Sequence, residues 1–249
     1  MNDAKYSVII PAFNEQRWLS KSIPAAIAAM GGLDMPGELI VVDNNSTDST
    51  SAVAKELGAQ VVFEPVNQIS RARNAGARAA TGDYLIFVDA DTLLTPPLLQ
   101  RAIELLSTNT CCGGGTRVLM DGGPEPGIAQ RLFMGIVRLA QLQNIAPGCF
   151  MFCRADAFDD IGGFSERVYA TEEFWWSLQL KMWGRKKRMP FMLLTDVTVV
   201  TSARKFDDPS SFLRMLLVVI VPFSIFFRTT CGFWYKRSDI ADKDGARKE

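Results

Sequence analysis

The 249-residue chain contains no histidine. That excludes Ser-His-Asp and Cys-His catalysis and any zinc or non-haem iron site built on imidazole. Acid–base chemistry must fall to carboxylates, Lys, Tyr or Cys, and any metal must sit among oxygens. Charge imbalance is also lacking: Lys+Arg and Asp+Glu both number 27, so no overall field points to nucleic acid. The five cysteines (Cys111, Cys112, Cys149, Cys153, Cys231) form no Cys-x-x-Cys pair. They read as reduced core thiols of a cytosolic protein, with Cys111 and Cys112 on opposite faces of a strand. Residues 1–5 lack the apolar stretch of a signal peptide. The uncharged run at 215–227 covers 13 positions and is interrupted by Pro222, short of the roughly 20 that span a bilayer. No internal repeat or low-complexity linker appears.

What is present is ordinary for a globular protein: 48% apolar and 22% charged residues, enough to bury the core of one large domain. The first hundred residues alternate between strand and helix patterns. Residues 6–11, 38–43, 59–63 and 84–88 read as strands. Helices are expected over 15–30, with Pro24 as a kink, from the cap-rich 45–50 through 57, over 70–80 and over 96–107. Repeated β-α-β units with continuous apolar strands predict a mostly parallel sheet with helices on both faces. Beyond that the pattern loosens. Strands are expected at 111–119 and 148–154, a loop at 122–127, and helices at 128–143, 155–161 and 172–183, the last stopped by Gly184. The reading is one domain over 1–206, with a nucleotide-binding half at 1–110 and a more variable half at 111–206, followed by an apolar and basic tail at 207–249.

The strand at 84–88 delivers Asp89 and Asp91 at its carboxyl end, where ligands of open α/β sheets bind. Side chains at i and i+2 of an extended segment point the same way, so the two carboxylates are expected to grip one hard cation carrying phosphates. The same sheet edge gathers Pro11-Ala12-Phe13-Asn14-Glu15 and Asp43. Asp43 can accept hydrogen bonds from a base or ribose, Phe13 can cover it, and Arg71 and Arg73 can add positive charge. Together these point to a nucleoside diphosphate.

These segments resemble the family 2 glycosyltransferases, which have the A-type nucleotide-sugar fold. The resemblance is carried, in order, by Ser7-Val8-Ile9-Ile10-Pro11-Ala12-Phe13-Asn14-Glu15, Val41-Val42-Asp43-Asn44-Asn45-Ser46-Thr47-Asp48, Ala72-Arg73-Asn74-Ala75-Gly76, Ala80-Thr81-Gly82-Asp83 and Val88-Asp89-Ala90-Asp91. It implies that Asp43 recognises the nucleobase, with Asn44 in place of a second acidic residue. It implies nucleotide contacts from Pro11, Ala12, Phe13, Glu15, Arg73, Asp89 and Ala90, and a Mg²⁺ or Mn²⁺ on Asp91 and Asp89, with Asp91 the direct ligand. In the second half, Thr171-Glu172-Glu173-Phe174-Trp175-Trp176 resembles the family's base-bearing helix. Glu173 falls on the base position, where Glu replaces Asp, and Glu172 is the second candidate. Paired carboxylates beside Trp175 and Trp176 can raise one pKa by desolvation and like-charge repulsion. Gly148, Trp175 and Arg204 are assigned to the donor-sugar and acceptor pocket. Many relatives carry a metal-ligating His near position 204, where this chain has none.

The implied activity is inverting transfer of a sugar from a UDP- or GDP-linked donor to a glycan or lipid-linked acceptor, in the manner of enzymes of bacterial cell-surface polysaccharide. Aromatics beside basic residues in the tail, and Arg185-Lys186-Lys187-Arg188, suit an anionic membrane surface. The expected location is cytoplasmic, peripheral on the inner face of the membrane, with a second copy of the chain as a further expected partner in a homodimer. The alternatives are a sugar nucleotidyltransferase, which would need a Gly-rich basic loop absent from residues 11–17, and a catalytically silent nucleotide-binding protein docked on a membrane.

Overall fold

In a computed structural model the described residues are 4–121, 135 and 143–202. Eight strands form one sheet: β1 (Tyr6–Ala12), β2 (Gly37–Asp43), β3 (Gln60–Phe63), β4 (Tyr84–Val88), β5 (Thr92–Leu93), β6 (Gly113–Asp121), β7 (Phe150–Arg154) and β8 (Phe191–Ser202). Their order is β3-β2-β1-β4-β7-β6-β8-β5. The strands of the first half pair in parallel, as expected for β-α-β units, while β4–β7, β6–β7 and β5–β8 are antiparallel. Both halves of the chain thus contribute to one sheet. The described helices are α1 (Gln16–Gly31), α2 (Thr50–Glu56), α3 (Ile69–Ala79), α4 (Pro96–Ser107), α5 (Ala155–Asp160) and α6 (Glu172–Lys187).

Strand alternation builds the two layers. Val8 and Ile10 of β1 face one core with Leu19 and Ile23 of α1 and Leu98 and Leu99 of α4. Ile9, between them, faces the other with Ala72 of α3, Phe158 of α5 and Trp176 of α6. Strands covered on both sides are apolar over most of their length, which is why residues 8–10, 39–42 and 85–88 read as unbroken runs. Cys111 and Cys112 follow the same rule, one in each core. Burial pushes the Cys111 thiol up to about 12, which makes it an inert filler.

Two expectations need correction, and one strand pairing was not anticipated. Gly184 does not stop its helix: α6 continues to Lys187 and ends at Arg188, a left-handed residue with φ 59°. Gly184 is there for close approach, since a Cβ would lie 2.2 Å from the Met189 carbonyl oxygen and 2.7 Å from Cys112 Sγ. The strand at 191–202 includes Thr201 and Ser202, and Thr201 pairs with Thr92 of β5, a two-residue strand the sequence pattern did not signal. Asp89 and Asp91 do not extend β4. Thr92 N–H donates to the Asp89 carbonyl at 3.0 Å, so residues 89–92 close a turn and the alternation rule ceases at Val88. The loop at 122–127, most of the helix expected over 128–143, Arg204 and the tail lie outside the described residues.

Candidate active site

The carboxyl ends of β1, β2 and β4 lie side by side, with Ala12 in register with Asp43 and Ile9 with Phe87. Two loops at this edge are stitched together. Asn14, held at φ 53°, receives Thr47 N–H on its Oδ1 at 2.8 Å, and its own N–H donates to Ser46 Oγ at 3.0 Å. Glu15 N–H donates to Thr50 Oγ1 at 2.8 Å. Asn tolerates the left-handed region better than other non-glycine residues, which suits it to this corner. Pro11, Ala12 and Glu15 are buried, and Phe13 is half-buried. Asp43 is 7% exposed and accepts Ser46 N–H at 2.9 Å.

Asn44 turns away from that edge. Its Nδ2 donates to the carbonyls of Glu64 and Val66, and its Oδ1 accepts Gln68 N–H at 2.9 Å. A carboxylate would meet the two carbonyl oxygens head-on, so Asn is the residue that this fastening of the β3–α3 loop requires.

Arg73 is the centre of the arrangement. It is 2% exposed and rises from α3 between the two halves of the chain. Nη1 donates to Glu172 Oε1, and Nη2 donates to Asp89 Oδ1 at 3.0 Å and to the Gly148 carbonyl at 2.8 Å. Its Nε is buried with no hydrogen-bond partner among the described residues, and the guanidinium lies 5.4 Å from the Phe164 ring. Burial pulls its pKa down, but the charges of Asp89, Glu172 and Glu173 outweigh this and hold it above its ordinary value. Arg71, two residues earlier, points elsewhere and pairs with Glu166 at 3.1 Å.

Glu173 follows Glu172 in the first turn of α6. A Cβ on Gly148 would lie 3.3 Å from Arg73 Nη2 and 3.8 Å from the Glu173 carboxyl carbon, so the missing side chain lets backbone, guanidinium and carboxylate meet. Although half-buried at the surface, the Glu173 carboxylate lies deep enough for desolvation to dominate. Desolvation, then the charge of Glu172, push its pKa up to about 8 against the pull of Arg73. Of the two tryptophans in this turn of α6, Trp176 is fully buried and stacked on Phe164 at 5.4 Å. Trp175 is 46% exposed.

Sequence reading missed the frame that holds α6. Asn74 donates to the Phe164 carbonyl and accepts Phe164 N–H, both at 2.9 Å. Gln68 donates to the carbonyls of Glu166 and Val168. Thr171, just before Glu172, sits at φ 62°, a strained conformation for a β-branched residue. The signal for Asn74 was its place directly after Arg73. Nothing local marked Gln68 or Thr171.

Asp89 has one oxygen on Arg73 and a side chain 19% exposed, while Asp91 is 3% exposed. Among the described residues no three of His, Cys, Asp and Glu gather to hold a metal. Two carboxylates at the carboxyl edge of such a sheet suit Mg²⁺ or Mn²⁺, ions that take oxygen ligands and complete their shells with phosphate oxygens and water. The donor set fits such an ion brought in with a nucleotide. The basic turn lies elsewhere. Lys181, Arg185, Arg188 and Phe191 line an open recess of about 510 Å³, some 12 residues or about 18 Å along α6 from Glu173.

One sheet edge thus gathers Asp43, the Asp-x-Asp turn and the two carboxylates that open α6. The family model for glycosyl transferase family 2 matches residues 7–162, and the chain belongs to that family. An uncharacterized glycosyltransferase of Mycobacterium tuberculosis is 42% identical over 124 residues, 50% of this chain and 54% of that protein. The chain thus spans about half the length of that relative. Among solved structures, a mannosyltransferase of Pyrobaculum calidifontis in complex with GDP-Man and Mn²⁺ aligns with TM-score 0.60 at 19% identity, covering 93% of this chain and 74% of that one. Glucosyl-3-phosphoglycerate synthase of M. tuberculosis, with Mn²⁺, UDP and phosphoglyceric acid, aligns with TM-score 0.59 at 20% identity, covering 92% and 79%. These likenesses are of fold, the A-type glycosyltransferase fold.

Proposed function

We propose that the chain is an inverting glycosyltransferase that moves a sugar from a UDP- or GDP-linked donor to a hydroxyl of a glycan or lipid-linked acceptor. The observation that carries this reading is the meeting of Glu173 with the Asp-x-Asp turn through Gly148 and Arg73. A carboxylate lifted to about 8 is, in its ionised form, a strong general base, and that form grows in population as pH rises from neutral towards this value. In the proposed reaction the acceptor oxygen attacks the anomeric carbon, its proton passes to Glu173, and the bond to the β-phosphate oxygen breaks with inversion. Pro11, Ala12, Phe13, Glu15 and Asp43 are assigned to the nucleoside, with Asp89 and Ala90 beside the diphosphate. Asp91 and Asp89 would hold Mg²⁺ or Mn²⁺, which when bound neutralises charge on the leaving diphosphate. The nucleotides and Mn²⁺ named for the structural relatives support this choice of ligands. Gly148, Trp175 and Arg204 are assigned to the sugar and acceptor pocket.

The domain division at 1–206 and 207–249, a homodimer, and docking of the tail on the inner face of a membrane belong to the same reading and rest on sequence alone. No helix of the described residues is long and apolar enough to cross a membrane. The test is a screen of UDP- and GDP-linked sugars for Mn²⁺-dependent donor hydrolysis, repeated with Asp91→Ala and Glu173→Gln. Wild-type rates in both variants would overturn the assignments. Binding of UDP or GDP with no turnover of any donor would favour the silent binder.

A further inference from the structure

We infer that Arg73 is a positioning residue: its guanidinium bolts the first turn of α6, through Glu172, to Asp89 of the Asp-x-Asp turn and to the Gly148 carbonyl, fixing where Glu173 stands. This deepens the proposed function and rests on Glu173 being the base. It also gives Glu172 a role distinct from that of Glu173, as the buried counter-ion of Arg73.

The allocation of donors carries the inference. Both hydrogens of Nη2 are spent on Asp89 and Gly148, Nη1 faces Glu172, and Nε is enclosed by protein. The side chain is 3% exposed in its pair with Glu172, which is itself 6% exposed. A guanidinium so enclosed has little left to offer a diphosphate arriving from solvent. Its partners, however, come from three separate stretches: the turn after β4, the loop before β7, and the start of α6. The rest of the α3 surface makes the same connection more weakly, through Asn74 and Gln68 on the 163–168 segment. Replacing a buried charged network by apolar packing often costs nothing in stability, so stability alone gives this network little reason to exist. Orientation does, since an arginine fork fixes the direction of a carboxylate where a hydrophobic contact would not.

The test uses the full chain with Arg73→Lys, Glu172→Gln and the double variant. Three quantities are read: kcat and KM on the donor that turns over in the screen, Kd for UDP and GDP with Mn²⁺ by calorimetry, and amide hydrogen exchange over the first two turns of α6. Arg73→Lys is expected to lower kcat by about 100-fold, the cost of misplacing a reacting group by an ångström. Donor KM and nucleotide Kd should stay within about threefold. Exchange in α6 should quicken. The double variant should be no worse than the poorer single one, because both break one connection. A Kd weakened tenfold or more, additive losses, or unchanged exchange would overturn the inference. If Arg73→Lys fails to fold, Glu172→Gln, which keeps shape and loses charge, reads the same quantities. If the wild-type chain turns over no donor, the proposed function fails, while exchange and Kd still decide what Arg73 does.

Discussion

The two ends of one sheet each hold a partly buried carboxylate, and they treat it in opposite ways. At the amino edge, Glu38 of β2 accepts Ser7 Oγ at 2.7 Å, Thr81 N–H at 2.6 Å and Thr81 Oγ1 at 2.8 Å, and Gly82 N–H backs Ser7 at 3.1 Å. Burial raises its pKa, but these donors outweigh burial and leave it below the ordinary value. At the carboxyl edge the strong donors are given to others. Arg73 serves Glu172, Asp89 and Gly148, and among the described residues no side chain donates to Glu173. Desolvation and the charge of Glu172 then lift it to about 8. Deeper desolvation, the charge of Glu172 and the lack of side-chain donors among the described residues together separate Glu173 from Glu38, whose donors outweigh its shallower burial.

The largest effect should come from breaking the second half of that comparison. Glu173→Gln is expected to lower transfer by about 10²–10⁴-fold, the usual contribution of a general base, with nucleotide binding retained. In the wild type, kcat/KM for the acceptor should rise with pH towards about 8, because the base must be ionised in the free enzyme. Stability should run the other way. Between the ordinary value of 4.5 and about 8 the folded state holds a proton that the unfolded state has lost, so stability falls as pH rises through that window. The melting temperature should therefore fall as pH rises across that window. Melting curves of the wild type and Glu173→Gln against pH check this. Parallel curves would mean that Glu173 titrates as an ordinary carboxylate.

Asn44 sharpens the comparison, because it lies at the carboxyl edge yet is fastened like Glu38. Asn44→Asp would set a carboxylate oxygen against the carbonyls of Glu64 and Val66. Leaving those groups unsatisfied should cost about 1–3 kcal/mol of stability, read by denaturant unfolding, with the preference between UDP and GDP unchanged. A switch in nucleotide preference at constant stability would return Asn44 to the nucleotide site.

The first half of the fold was legible because strands covered on both faces carry continuous apolar runs, and each turn between elements carried Gly, Pro, Asn or Asp. The strands ending at Ala12, Asp43 and Val88 could be placed from those signals alone, and with them the edge bearing Asp43, Asp89 and Asp91. The second half was less legible for physical reasons. β7 and β6 enter the sheet antiparallel through contacts distant in sequence, and β5 is fixed by pairing with β8 rather than by its own two residues. The partnership of Arg73 with Glu172 spans 99 positions, so no local pattern announced it. Gly184 misled because a glycine needed for close packing looks, in sequence, like a glycine that ends a helix.

The smallest effect tests the amino edge. Glu38→Gln keeps the acceptor oxygen for Ser7 and Thr81 but removes its charge. Because the folded pKa of Glu38 is depressed, its contribution is present above the unfolded value of about 4.3 and is lost as pH falls through the folded one. The side chain is partly open to water, which screens the charge, so the difference from wild type at pH 7 should stay under about 1 kcal/mol. That difference should vanish in acid. Donor turnover should not change, since Glu38 lies at the opposite end of the strands from Glu173. If Glu38→Gln alters kcat, the strands transmit strain from one edge to the other, and the two carboxylates are not the separate devices that their donors make them.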